Sequence, residues 1–155
     1  MNKKIKFRVN GKKVEAEVPT NRLLIDCSAL RSRAHRYQRG LQRRRVRRLH
    51  GPRGRRHGER LFELAVFADG HDITTVEGLA KNGELHPVQK SFIQYGGFQC
   101  GICTPGQVVA AKALLDQNPR PNEDEIKDWM MGNLCRCTGY YKIIESIQKA
   151  YQFAK

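Results

Sequence analysis

The sequence predicts an α+β fold, with strands in the first part of the chain and helices in the second. Two patterns predict this division. Hydrophobic residues alternate with polar ones over much of positions 5–18, which is the period of a half-buried strand. From about residue 86 onward they recur every three or four positions, which is the period of an amphipathic helix. We therefore expect two domains, covering residues 1–80 and 81–155.

A β-hairpin is predicted at the start of the chain. Two alternating runs, at residues 5–9 and 14–18, are separated by Asn10 and Gly11. This dipeptide favours a type I′ turn, because both residues readily adopt the positive φ angles that the turn requires. The hairpin should therefore have a two-residue loop and a fixed register.

An arginine-rich segment interrupts the globular pattern between Cys27 and Arg60. It contains thirteen arginines and one acidic residue, Glu59, and so carries +12 of the net charge of +14. Its few apolar residues cannot offset the entropy of ordering, and we expect residues 27–62 to be disordered as written. Because the rest of the chain is nearly neutral, basicity is a property of this segment alone.

Four helices are predicted in the last seventy residues. They cover His86–Tyr95, a segment beginning at Thr104, a segment following Asn122, and Tyr140–Phe153. Thr104 suits an N-cap followed by Pro105 at the first helical position. Asn122 and Glu125 have the spacing of a capping box. The first helix is expected to place Ile93 on its apolar side.

Four of the five cysteines form two close pairs in the helical half. Cys100 and Cys103 have C-x-x-C spacing, and Cys135 and Cys137 have C-x-C spacing. Glycines flank both pairs and permit a close approach of the backbone. Each pair also lies at or before a helix start, where backbone amides favour thiolates. The pattern indicates a metal or iron–sulfur site.

Spacing alone leaves other chemistries open for these four cysteines. A structural zinc site also uses four cysteines, although two C-x-x-C knuckles are more usual there. A redox dithiol needs only one pair and leaves the other unexplained. A four-thiolate iron–sulfur centre is favoured. The fifth cysteine, Cys27, has no assigned role.

The two cysteine motifs resemble the signature of a known family. Gln-Cys-Gly-Ile-Cys-Thr-Pro-Gly at residues 99–106 and Gly-Asn-Leu-Cys-Arg-Cys-Thr-Gly-Tyr at 132–140 look like the small iron–sulfur subunit of the molybdenum hydroxylases. This family includes xanthine dehydrogenases, aldehyde oxidoreductases, aerobic carbon monoxide dehydrogenases and nicotinate dehydrogenases. The resemblance is loose over residues 1–26 and close over 63–155. It implies a β-grasp, ferredoxin-like first half and a four-helix [2Fe-2S]-binding second half.

The resemblance also implies roles for individual residues. Cys100, Cys103, Cys135 and Cys137 would bind one [2Fe-2S] cluster. Gln99 would contact the molybdopterin cofactor of a large partner subunit, and Cys137 would lie on the electron path from molybdenum. A medium partner subunit would bind FAD. The chain itself would transfer electrons within an oxidoreductase without turning over substrate.

The arginine-rich segment departs from the family pattern. Family members carry a second [2Fe-2S] cluster on a C-x4-C-x2-C run and a further cysteine, which should fall within residues 27–62. We hypothesise that residues 27 to about 62 are the family sequence read out of frame. One base later, residues 36–49 can encode G-I-K-E-G-C-N-V-G-E-C-G-A-C, with cysteines at Leu41, Val46 and Leu49, and a fourth at Leu61. As written, only one cluster is expected.

A different class of function is a zinc-stabilised, arginine-rich nucleic-acid-binding protein. The cysteines would then be structural, and the arginines would contact phosphates. Nothing outside the arginine-rich segment offers an aromatic stacking surface or a basic platform. The sequence therefore favours electron transfer, and we do not expect nucleic acid as a partner.

The sequence also bears on location. No apolar run approaches the roughly 20 residues that span a bilayer, and no secretory signal is visible. Reduced, ligand-forming cysteines are typical of the cytoplasm. We therefore expect a cytoplasmic protein with no membrane partner.

Overall fold

The computed structural model describes residues 1–24, 26, 27 and 64–154. The chain separates into two compact units, Met1–Thr75 and Val76–Lys155, and the sequence predicts the boundary slightly later, after residue 80. The strands belong to the first unit and the four long helices to the second, which confirms the α+β class. The predictions for residues 27–62 concern positions that, apart from Cys27, lie outside the described ranges.

The first unit contains a three-stranded sheet. Strands β1 (Asn2–Val9) and β2 (Lys12–Pro19) pair antiparallel, and the short strand β3 (Asp72–Ile73) pairs parallel to β1, giving the order β2-β1-β3. Asn10 and Gly11 have φ angles of 50° and 80°, both positive as a type I′ turn requires. The predicted hairpin is confirmed, with Val9 opposite Lys12 across the turn.

Hydrogen bonds and apolar contacts stabilise this unit. Asn10 Nδ2 donates to Thr75 Oγ1, and the Thr75 backbone N–H donates to Asn10 Oδ1, each over 2.9 Å. The turn residue is therefore tied to the end of the unit. The apolar faces of the strands pack in one core with residues before and after the undescribed segment: Ile5, Phe7, Val9, Ala16, Val18, Leu24, Cys27, Ala65, Ala68 and Ile73.

The second unit contains the four predicted helices. They are α1 (Pro87–Tyr95), α2 (Thr104–Leu115), α3 (Glu123–Met130) and α4 (Tyr141–Lys149), and a 3-10 turn, Ala150–Phe153, follows α4. Asn122 and Glu125 form the predicted capping box. The predicted N-cap at Thr104 is wrong by one residue. The cap is Cys103, whose backbone is already near-helical at φ −85°, so Thr104 is the first helical residue.

The exposure of one residue and the start of one helix differ from the predictions. Ile93 is 58% exposed, because α1 buries the face that carries Val88, Ser91 and Phe92, and a residue directly after Phe92 is rotated away from it. The helix expected from Tyr140 begins one residue later, because Tyr140 has a φ angle of 69°.

The core of the second unit requires a close approach between α1 and α4. Phe92, Ile126, Ile143 and Ile147 are nearly fully buried. Directly after α1, a Cβ atom on Gly97 would lie 2.6 Å from Ser146 Oγ and 2.7 Å from a ring carbon of Phe92. Only glycine fits there without displacing its neighbours. None of the helices in the described ranges is both long and apolar enough to span a membrane.

Candidate metal centre

Two segments of the second unit carry the four predicted cysteine ligands. Cys100 lies in the bend after α1, and Cys103 is the N-cap of α2. Cys135 and Cys137 lie in the connection between α3 and α4. The first and last of the four are exposed, whereas Cys103 and Cys135 are partly buried.

The structure brings these cysteines together as two pairs. The Sγ atoms of Cys100 and Cys137 are 3.4 Å apart. Cys103 and Cys135 lie close enough for each to shift the pKa of the other, and Cys135 also interacts electrostatically with Cys100. Within the described ranges, no three His, Cys, Asp or Glu side chains are grouped so that they could hold a single metal ion. The contacts are pairwise, and each pair joins one cysteine from each segment.

The pKa values follow the same pairing. A hydrogen bond with the backbone of Ile102, and then one with the Cys137 side chain, lower the pKa of Cys100. The same thiol–thiol contact raises the pKa of Cys137. Burial, followed by the contact with Cys135, raises the pKa of Cys103 to about 12. In each pair the pKa of one thiol, Cys100 or Cys135, is lowered and that of the other is raised, as expected for two sulfur atoms sharing a proton.

Cys135 is also contacted by Thr138 and Tyr140. Its Sγ lies 3.1 Å from Thr138 Oγ1, and its backbone N–H donates to the Tyr140 hydroxyl over 2.7 Å. The Tyr140 backbone N–H in turn donates to Thr138 Oγ1 over 3.2 Å. Burial raises the pKa of Cys135, but several hydrogen bonds, the largest of them with the Thr138 side chain and backbone, together outweigh it, and the pKa is lowered.

A buried glutamine connects the two cysteine segments. Gln107 lies one turn after Cys103, with its backbone N–H donating to the Cys103 oxygen. Its Nε2 donates to the backbone oxygen of Asn133 over 2.8 Å. Both side chains are buried, and Gln107 Oε1 and Asn133 Nδ2 have no partner in the described residues. The start of α2 is therefore held against the turn that leads to Cys135.

The outer surface of the cysteine segments is partly apolar. Gln99, the predicted pterin contact, is exposed directly before Cys100, and its role stays a prediction. Large apolar side chains on or directly beside these segments are also exposed: Phe98, Ile102, Met131, Leu134 and Tyr141, with exposures from 40% to 82%. We call these five the exposed apolar residues of the cysteine segments.

The sequence did not assign roles to Thr138, Tyr140, Gln107 or Asn133. One signal was available, because Gln107 is a polar residue followed by a run of small and apolar helix positions. Thr138 and Tyr140 belong to the motif at residues 132–140, but the motif did not indicate which atoms they contact. Their contacts depend on the left-handed backbone of Tyr140, which sequence patterns do not reveal.

The donor set fits an iron–sulfur cluster. Four cysteine thiolates are the usual ligands of a [2Fe-2S] cluster. Two thiolates on one tetrahedral metal lie about 3.8 Å apart when each metal–sulfur bond is about 2.3 Å. The 3.4 Å between Cys100 and Cys137 is close to this separation. Two cross-segment pairs suit a centre with two metals.

Comparison with known proteins gives a family-level match. A family model described as a [2Fe-2S] binding domain matches residues 75–148. The aldehyde oxidoreductase iron-sulfur-binding subunit of Escherichia coli is 36% identical over 93% of this chain and 69% of its own length. A protein of Bacillus subtilis named as a probable xanthine dehydrogenase subunit is 53% identical over 54% of this chain. The chain spans 47% of that relative's length.

A solved structure matches nearly the whole chain. The crystal structure of quinoline 2-oxidoreductase from Pseudomonas putida 86 aligns with a TM-score of 0.74 and 34% sequence identity, covering 97% of each chain. None of these three proteins is named as a nucleic-acid-binding protein. All three are instead named as oxidoreductases or dehydrogenases or as their subunits, and the Escherichia coli protein is named as an iron–sulfur-binding subunit.

Proposed function

Because this chain belongs to the iron–sulfur subunits of the molybdenum hydroxylases, we propose that it carries electrons from the molybdopterin centre of a partner subunit toward a flavin or another acceptor. The pairwise arrangement of the four cysteines carries this proposal. Pairs drawn from two segments suit a cluster that exchanges electrons without binding substrate.

The four cysteines have distinct positions as ligands. Cys100 and Cys137, whose Sγ atoms are 3.4 Å apart, would bind one iron, which leaves Cys103 and Cys135 to bind the other. When bound, the [2Fe-2S] cluster supplies a one-electron carrier. The chain's own groups orient the ligands, and the hydrogen bond between the backbone of Ile102 and Cys100 favours the thiolate.

The exposed apolar surface near the cysteines supports the proposal that a large molybdopterin-binding subunit binds there. Apolar side chains concentrated on two neighbouring segments are more typical of a protein interface than of a free surface. Gln99 lies on the same segment as Cys100 and would contact the pterin there. A medium subunit would bind FAD and receive the electrons. Reduced thiolates suit a cytoplasmic assembly.

The number of clusters depends on the arginine-rich segment. As written, the chain provides one set of four cysteine ligands and a single further cysteine, Cys27. The electron relay would then lack its second cluster, and iron should be near two atoms per chain. Sequencing codons 26–64 tests the out-of-frame hypothesis. Codons that are incompatible with the shifted reading would contradict this hypothesis. Four irons per chain would show that the written sequence is not the one that is made.

Metal analysis tests the proposed cluster. We expect about two irons and two acid-labile sulfides per chain, a visible chromophore, and an electron paramagnetic resonance signal after reduction. Cys135→Ser and Cys137→Ser should lose most of the iron. Cys27→Ser is the matched control, because this cysteine is buried in the core of the first unit and should be dispensable for the cluster. A colourless protein containing zinc would contradict the proposal.

A further inference from the structure

Cys135 differs from the other three ligands in what contacts its sulfur. Thr138 Oγ1 lies 3.1 Å from the Cys135 Sγ. In the part of the chain that the structure describes, no other ligand sulfur is hydrogen-bonded to a side chain other than cysteine. Binding of the cluster requires only the four thiolates, so it does not explain why Cys135 alone is contacted by a hydroxyl.

The direction of this hydrogen bond follows from the neighbouring contact. The Tyr140 backbone N–H donates to Thr138 Oγ1 over 3.2 Å and occupies one of its lone pairs. A metal-bound Cys135 is a thiolate and has no proton to donate. The hydroxyl proton of Thr138 is therefore the one that lies between oxygen and sulfur, and Thr138 is the donor.

The orientation of Thr138 is fixed by a closed set of contacts. Tyr140 accepts the Cys135 backbone N–H at its hydroxyl while its own backbone N–H holds the Thr138 oxygen. Tyr140 adopts a φ angle of 69°, a conformation that costs a non-glycine residue energy. The surrounding contacts hold that backbone, so the Thr138 oxygen already lies 3.1 Å from the sulfur and its hydroxyl can donate once Cys135 binds metal as a thiolate.

We propose that Thr138 is a positioning residue whose hydroxyl, by donating to the Cys135 thiolate, raises the reduction potential of the cluster. The cluster would accept one electron from the molybdopterin centre of the partner subunit and would become more negative, while its bonds to the four thiolates remain. A donor to a ligand sulfur stabilises that added charge. The inference rests on the proposed function, since it requires Cys135 to bind iron.

The test is a redox titration of the full-length chain carrying its cluster, followed by visible absorbance and electron paramagnetic resonance. Thr138→Val and Thr138→Ala should shift the midpoint potential to more negative values, whereas Thr138→Ser should keep the parental value. Thr104→Val is the matched control. Its hydroxyl lies next to Cys103 but has no partner in the described residues, so its loss should leave the potential unchanged.

Iron content separates the possible outcomes. An unchanged potential in Thr138→Val with full iron would overturn the inference, as would an equal shift in Thr138→Ser or loss of iron in all three variants. Loss of iron in the Val and Ala variants, with retention in Ser, would support the contact between hydroxyl and thiolate. Absence of iron and of the resonance signal in the parent chain would instead contradict the proposed function.

Discussion

Gln107 Nε2 donates a hydrogen bond to the backbone oxygen of Asn133, over 2.8 Å and within the core of the helical unit. Through this bond the helix that starts beside Cys103 is joined to the turn that leads to Cys135. The geometry of the metal centre therefore depends on a side chain whose hydrogen bond goes to the backbone of the second cysteine segment.

Replacing this glutamine should weaken both the fold and the centre. Gln107→Leu leaves the buried Asn133 oxygen without its donor, which costs about 1–3 kcal/mol of unfolding free energy. We expect lower iron retention under dilution as well. Denaturant unfolding and iron analysis measure the two effects. Gln94→Leu is the control, because that glutamine is exposed on α1 and its loss should change stability by less than about 0.5 kcal/mol. Equal behaviour of the two variants would contradict the assignment.

An apolar residue beside the cysteines should contribute to partner binding. Leu134 is 57% exposed, so Leu134→Glu should leave folding and iron content unchanged while weakening association with the large subunit about tenfold, or about 1.4 kcal/mol. Titration of the purified large subunit measures this change. Ile93→Glu is the matched control, since Ile93 is 58% exposed on α1. If Ile93→Glu weakens binding equally, the exposed apolar residues of the cysteine segments are not the interface.

The stabilisation that His86 gives to the start of α1 should be lost at acidic pH. His86 Nδ1 accepts the backbone N–H of Val88 over 3.3 Å and caps the helix. Burial, and then the charge of Lys112, lower the pKa of His86 below its ordinary value of 6.5. Because the folded state disfavours the proton, the stabilisation is present above pH 6.5 and is lost as the pH falls through the lowered pKa.

The loss should be about 1 kcal/mol, the usual contribution of an N-cap. Denaturant unfolding at pH 7.5 and at pH 5 measures it. His86→Asn keeps a capping oxygen and does not titrate, so the difference in pH dependence between this variant and the parent isolates the histidine. A parent that gains stability on acidification relative to His86→Asn would show that the sign is wrong.

Gly97 should be intolerant of a side chain. Gly97→Ala places a carbon against Ser146 Oγ and the Phe92 ring, and overpacking of this kind costs about 1–3 kcal/mol. Ser146→Ala removes one of the two clashes. The double variant should therefore be more stable than the sum of the single changes predicts, and thermal unfolding of all four proteins measures this coupling. Strict additivity would mean that the serine is not what excludes the side chain.

The elements that the sequence predicted well depend on local rules. The Asn10-Gly11 turn and the Asn122 capping box follow from the backbone preferences of those residues and from hydrogen bonds within a few positions. The four cysteines were proposed as ligands for a similar reason, since their spacing is itself the chemical signal, and their role as ligands stays a prediction. Elements that depend on such local patterns can be predicted without knowing the tertiary fold.

The features that the sequence did not predict depend on tertiary packing. The partner of Gln107 lies twenty-six positions later in the chain, and no periodicity indicates it. The exposure of Ile93 depends on which side of α1 faces α4. The N-cap of α2 is Cys103, whose backbone is near-helical. The sequence does not show whether this cysteine belongs to the helix start or to the preceding bend, so the predicted cap was one residue too late.

The pairing of cysteines from two distant segments also has a thermodynamic consequence. A cluster bound to both pairs is a cross-link, and it closes a loop of about thirty residues containing α2 and α3. By the chain-entropy argument used for disulfides, closing such a loop removes about 3–4 kcal/mol of unfolded-state entropy. Release of iron would then make the helical unit easier to unfold, so a protease could selectively remove chains that have lost their cofactor.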